Sequence, residues 1–198
     1  MYPVVFSIPK PEKTSRLKML FRFILIIPVA FFGGLYSIPV SFVMFAAFWV
    51  ILFTARYPKK MWEYVCRYFR FSTNLNAYYM LLTDMYPPFH GRQETGYPIK
   101  TVFQFPEQMS RLTVFFRWLL LLPHYFYIIP YSIGYLAVGL LTFWAVLFTG
   151  RIPESFFRFI RGFFIYQSRL RAYIYLLVDE YPPFNGVQSQ AAIEANPL

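Results

Sequence analysis

Two charge-free blocks dominate the chain. From Phe23 to Ala55 no Asp, Glu, Lys or Arg interrupts the run, and the same holds from Trp118 to Gly150. Uncharged apolar runs of about 18 residues or more have the length and composition of membrane-spanning helices. A chain of 198 residues offers too little interior to bury two of them in water. A single helix of about 33 residues would be about 50 Å long, well beyond a hydrocarbon core of about 30 Å. Extended back to Leu17 and Leu112, each block has the residues for two crossings, with breakers near its middle. These are Gly33, Gly34 and Pro39 in the first block, and Pro130 and Gly134 in the second. The pattern predicts a kinked transmembrane helical hairpin over residues 17–55 and another over 112–150, with a shallow, re-entrant hairpin as the alternative.

After each block the pattern changes. Met61, Val65, Tyr68, Leu75, Tyr78 and Leu82 recur at helical spacing among Lys60, Glu63, Arg67 and Arg70. Phe156, Ile160, Phe163, Leu170, Tyr173 and Leu177 do the same among Arg158, Arg161, Arg169 and Arg171. These are amphipathic helices over 59–84 and 154–179, aromatic and basic enough to lie at a membrane interface. Each ends at Asp-x-Tyr-Pro-Pro-Phe, where proline geometry stops a helix and favours extended chain. Ahead of each block lies a proline-containing extended stretch, Tyr2–Pro11 or Tyr97–Pro106, and the alternation in TVFQF suits a short strand. PEKTSRL and PEQMSRL then supply helix-start signals.

The likeness between the halves is a duplication. An offset of 95 positions, without a gap, superposes Pro11-Glu12 on Pro106-Glu107, Ser15-Arg16-Leu17 on Ser110-Arg111-Leu112, and Tyr86-Pro87-Pro88-Phe89 on Tyr181-Pro182-Pro183-Phe184. Roughly 35 of about 90 aligned positions are identical, far above chance for a self-comparison. The chain therefore reads as unit 1 over 1–95, unit 2 over 96–186, and a polar tail over 187–198. The expected fold is an all-α membrane protein of two tandem parallel repeats, each a hairpin followed by an amphipathic interfacial helix.

Composition and charge sharpen this picture. Hydrophobic residues make up 58% of the chain, above the roughly 45–50% of soluble domains, and the net charge is +10. With hairpins, all 19 Lys and Arg fall on one membrane face, as the positive-inside rule demands of the cytoplasmic side. Termini and amphipathic helices are thus expected on the cytoplasmic side of a bacterial inner membrane. Arg16, Arg22, Arg56, Arg111, Arg117 and Arg151 are the expected contacts to anionic lipid headgroups, with Arg22 and Arg117 snorkelling outward. The aromatics lie in apolar and amphipathic stretches, which argues against nucleic-acid binding. Cys66 stands alone, so no disulfide forms within the chain, and it reads as a small apolar side chain on a helix.

Candidate chemistry is sparse. Charge-free blocks argue against a proton relay or ion-coupled transport. There is no zinc-type cluster, phosphate loop or nucleophile elbow. Neither a cofactor nor an enzymatic activity is expected. His90 and His124 fall on opposite sides of the membrane and cannot together ligate a haem within one chain. His124 is expected to cap a helix or meet headgroups. Asp84 and Asp179 are expected to pair with an Arg or to satisfy backbone donors near the proline turn.

The runs FRWLLLLPH, FWAVLFTGRIP and RAYIYLLVDEYPPF, with their first-copy versions, resemble a family of bacterial integral membrane proteins catalogued only as a domain of unknown function. The resemblance covers both units up to Gly186 and implies no activity. Val29 stands where the second copy has His124, which argues against a role for that histidine common to both units. The expected function is a non-catalytic multi-pass membrane protein, an accessory or scaffold subunit. It would bind other membrane subunits or copies of itself, with Tyr86, Pro87, Pro88, Phe89, Tyr181, Pro182, Pro183 and Phe184 as docking segments. The alternative is binding of a lipid or quinone in a crevice between the repeats. A lipid-modifying enzyme comes third, for lack of an acid–base set.

Overall fold

The computed structural model describes residues 2–94 and 96–187; the expected polar tail, beyond Val187, lies outside the described residues. The chain is mostly helical and built from two tandem repeats. Unit 1 comprises β1 (Val4–Ser7), α1 (Arg16–Thr54) and α2 (Lys59–Tyr79). Unit 2 comprises β2 (Lys100–Phe103), α3 (Arg111–Phe115), α4 (Arg117–Leu120), α5 (Leu122–Thr149) and α6 (Glu154–Ile174). Each extended stretch ahead of a block contains a strand, where one was expected only at TVFQF, and the two pair as an antiparallel ribbon.

No turn divides either apolar block, which corrects the expected hairpins. α1 runs unbroken through Pro28 and Pro39, and α5 through Pro130. In the second unit only single residues, Phe116 and Leu121, leave helical classification before α5 begins. Each proline removes one backbone hydrogen bond, yet the rest of the ladder holds and the helix persists. The glycines serve close approach instead. A Cβ on Gly33 would lie 2.9 Å from Phe71 Cε1, and one on Gly134 would lie 3.1 Å from Phe159 Cζ. Both rings belong to the amphipathic helix packed on the block.

α2 folds back along α1, and α6 along α5. The stripe Met19, Arg22, Val29, Gly33, Val40, Ala47 and Ile51 is buried, following helical spacing. Tyr36 sits among Tyr64, Tyr68 and Phe71, with ring centroids 5.2–6.0 Å apart. Tyr131 sits likewise among Phe159, Phe163 and Tyr166. Both amphipathic helices end before the expected Asp84 and Asp179. Leu81 and Leu176 take left-handed φ of 65° and 60°, and Leu82 N and Leu177 N donate back to Ala77 O and Ala172 O at 3.0 Å. This early stop leaves each aspartate free to turn toward the long helix.

Matched contacts relate the units by an approximate two-fold rotation. In the ribbon Phe6 pairs with Thr101, its own counterpart at the repeat offset. Thr14 N donates to Gly150 O, and Met109 N to Ala55 O, each at 3.0 Å. Each unit's long helix therefore begins beside the end of the other's. Those ends are closed by left-handed caps, Ala55 at φ 58° and Gly150 at φ 70°. A left-handed alanine costs about 1 kcal/mol relative to glycine. Ala55→Gly should raise the unfolding free energy in detergent by about that amount, and Gly150→Ala should lower it similarly, both read by denaturant titration.

Candidate functional site

The two units build the same polar node. Arg22, on α1, donates through Nη1 to Tyr78 O and through Nη2 to Thr83 O at 3.3 Å and Asp84 Oδ1 at 2.5 Å. Its guanidinium lies 4.4 Å from the Tyr78 ring centroid. Asp84 Oδ2 accepts from Ser15 N at 2.6 Å, and Ser15 Oγ caps α1 by accepting from Lys18 N at 3.4 Å. In unit 2, Arg117 donates to Tyr173 O, to Val178 O at 3.3 Å and to Asp179 Oδ1 at 3.4 Å, while Ser110 N donates to Asp179 Oδ2 at 2.9 Å. One side-chain pair thus joins the start of each long helix to the end of its amphipathic partner. Arg22 and Arg117 are only 3% and 5% exposed, so the expectation that they snorkel to headgroups is corrected. Backbone carbonyls at the end of the amphipathic helix and beyond it, with a carboxylate, hold their Nη groups from within. Arg16, Arg56, Arg111 and Arg151 are exposed at the block ends, as expected, and Arg16 Nη2 donates to Phe148 O at 2.9 Å.

The Tyr-Pro-Pro-Phe segments fold onto their own units. Tyr86 OH donates to Leu25 O and Tyr181 OH to Leu120 O, both at 3.1 Å. Each acceptor neighbours a carbonyl, Ile24 O or Leu119 O, whose helical donor is lost to Pro28 or Pro123. Phe89 packs edge-on to Phe32 at 5.6 Å. Pro87 and Pro182 are buried, Pro88 and Pro183 half-buried, and the tips of Tyr86, Phe89, Tyr181 and Phe184 remain exposed. The glycine closing each motif is a close-approach site. A Cβ there would lie 1.7 Å from Arg67 O at Gly91 and 1.9 Å from Gly162 O at Gly186.

His124 neither caps a helix nor meets solvent. It is fully buried, with Nδ1 2.8 Å from Tyr166 OH and its ring stacked on Phe184 at 4.2 Å. The corresponding residues in unit 1 are Val29 and Phe71, so both partners of this hydrogen bond differ together between the copies. That paired difference was readable in the self-alignment. Nothing in a single unit's sequence marked Tyr78 and Tyr173 as lids over an arginine. His90 pairs with Glu94 at 2.9 Å on the surface. Burial pushes the Cys66 thiol up to about 12, leaving a small neutral side chain, as expected. Among the described residues no three His, Cys, Asp or Glu gather as a metal site.

Beside each node, between the start of one long helix and the later part of the other, lies an apolar crevice. The first, of about 350 Å³, is lined by Met19, Arg22, Tyr79, Tyr135, Gly139 and Phe143 among others. The second, of about 460 Å³, is lined by Met44, Phe48, Val114, Arg117, Leu121 and Ile174 among others. These are equivalent places in the repeat.

The model of a family described as Domain of unknown function (DUF4389) matches residues 16–90 and again residues 111–185. No curated protein and no solved structure matches the chain.

Removing one member of a buried ion pair strands the other. Asp84→Ala should lower the unfolding free energy by about 3 kcal/mol, and Asp179→Ala should do so comparably. Asp84→Asn, which keeps an acceptor for Ser15 N, should cost less. Chemical unfolding followed by tryptophan fluorescence checks the order.

Proposed function

We propose, for a chain that belongs to the DUF4389 family and carries its unit twice, a non-catalytic role embedded in a lipid bilayer as an accessory or scaffold subunit. The observation that carries this is the outward face of the long helices. Phe31, Phe42, Phe126 and Phe148 are each more than 70% exposed, within helices long and apolar enough to cross a membrane. Leaving so continuous an apolar surface in water is costly. Lipid tails and partner helices cover it without that penalty.

The arrangement favours immersion from one face over perpendicular crossing. α1, with 39 residues, would be about 58 Å long if straight, nearly twice the hydrocarbon thickness. α2 lies along it and carries Arg67 exposed near its middle, a residue too costly to hold in hydrocarbon. In this reading α1 and α5 occupy the near leaflet, α2 and α6 the headgroup layer. The exposed Arg16, Arg56, Arg111 and Arg151 then meet anionic lipids at one face, the cytoplasmic side of a bacterial inner membrane. The exposed helix flanks and motif tips are the surfaces left for other subunits or another copy. The two crevices favour a second reading, binding of a lipid or quinone between the repeats.

Lys13→Cys and Lys59→Cys place thiols near opposite ends of the first block, with Cys66 buried and silent. Both should react with an impermeant maleimide from the cytoplasmic side only. Labelling from opposite sides would establish a single crossing instead, and release of the protein by alkaline carbonate would remove the embedded reading. Gentle extraction of the tagged chain at natural abundance should recover a defined assembly that is lost when residues 181–184 are replaced by Gly and Ser. Recovery of the chain alone would sink the scaffold role.

A further inference from the structure

The two crevices occupy equivalent places but carry different chemistry. The first presents Tyr79 and Tyr135 beside Arg22. At the matching positions stand Ile174, which lines the second crevice, and Val40, which is buried, so of the two crevices only the first carries phenols. Neither phenol hydroxyl makes a hydrogen bond among the described residues. Both phenols line this crevice together with Arg22. Stacking on Phe163, at 4.9 Å and 18° between planes, fixes the Tyr135 ring. Two phenols in an otherwise apolar lining suit acceptor oxygens on an apolar body.

Charge narrows the class. Arg22 is the one charged residue lining this crevice, and Asp84 already neutralises it at 2.5 Å. An anionic headgroup would add an unmatched charge to a balanced pair. An acyl chain alone would use neither hydroxyl and would fit the second crevice as well. A neutral ring bearing carbonyl oxygens uses both donors and packs against Phe23, Tyr79 and Phe143 by aromatic contact. The crevice volume, about 350 Å³, lies within the range of small-molecule sites.

We propose that the crevice formed by Tyr79, Tyr135, Gly139 and Arg22 binds a membrane quinone. The phenols donate to its carbonyl oxygens, and its isoprenoid tail leaves along the apolar faces of α1 and α5. This rests on the embedded reading, since the ligand must enter from lipid.

The internal repeat supplies the controls. A Cβ on Gly139 meets nothing within 4 Å, and its counterpart is Met44. Gly139→Met therefore fills the crevice with the side chain that unit 1 already carries. Phe45→Trp, at the position matching Leu140, alters only the second crevice. The full chain in nanodiscs, first shown to resist carbonate extraction from its membrane, is titrated with decyl-benzoquinone. One saturable site per chain is expected. Loss of both hydrogen bonds in Tyr79→Phe with Tyr135→Phe should raise Kd by about tenfold or more. Gly139→Met should abolish binding, and Phe45→Trp should leave Kd within about twofold. A carbonate-resistant chain that shows no saturable quinone site overturns this assignment and leaves the embedded reading intact. So does a site indifferent to Gly139→Met and to the double phenylalanine variant. A chain stripped by carbonate fails on the embedded reading itself. Tight co-purifying glycerolipid that quinone does not displace assigns the crevice to lipid and overturns the quinone proposal.

Discussion

A buried arginine shared between a carboxylate and the carbonyls at a helix end holds each unit together. Arg22 reaches from α1 to Tyr78 O and Thr83 O, at the end of α2 and beyond it, while its partner Asp84 reaches back to Ser15 N at the start of α1. Remove that exchange and Ser15 N loses its acceptor, the end of α2 the guanidinium that holds it, and the chain its reason to turn before the prolines. An unpaired guanidinium in so apolar a place is expensive, so the pair must form together or not at all. Its recurrence as Arg117 and Asp179 makes the node a property of the unit.

Around these nodes the molecule separates into layers by polarity. The long helices turn wide apolar faces outward, and only a narrow stripe of each contacts protein. The amphipathic helices fill that stripe with aromatic rings and carry the cations. The crevices fall where the units cross, next to the nodes, so the buried arginines also border them.

Much of this was legible in the sequence. The charge-free blocks, the constant repeat offset and the amphipathic spacing gave the order of helices, and the twin aspartates were rightly expected to find an arginine or a backbone donor. The internal hairpins were not there, because Gly33 and Gly134 mark ring contacts and not turns, a distinction that needs the partner helix in view. Arg22 and Arg117 looked like interfacial residues because their acceptors lie some 60 positions away in sequence. The ends of α2 and α6 were placed too late, since left-handed leucines leave no mark of the kind glycine does. The crevices, made from residues over a hundred positions apart, had no local signature beyond the expectation of space between the repeats.

The self-pairing of Phe6 with Thr101 says something about how such a chain comes to exist. Because the axis passes between equivalent residues, one unit contains both sides of the contacts that cross it: the strand and its mate, the helix start and the helix end that receives it. A chain of half this length can close on a second copy of itself through an isologous interface. Gene fusion then needs only a linker between partners already in place. Once fused, the halves are free to differ, and a tyrosine–histidine pair or a phenol-bearing crevice can arise in one without burdening the other.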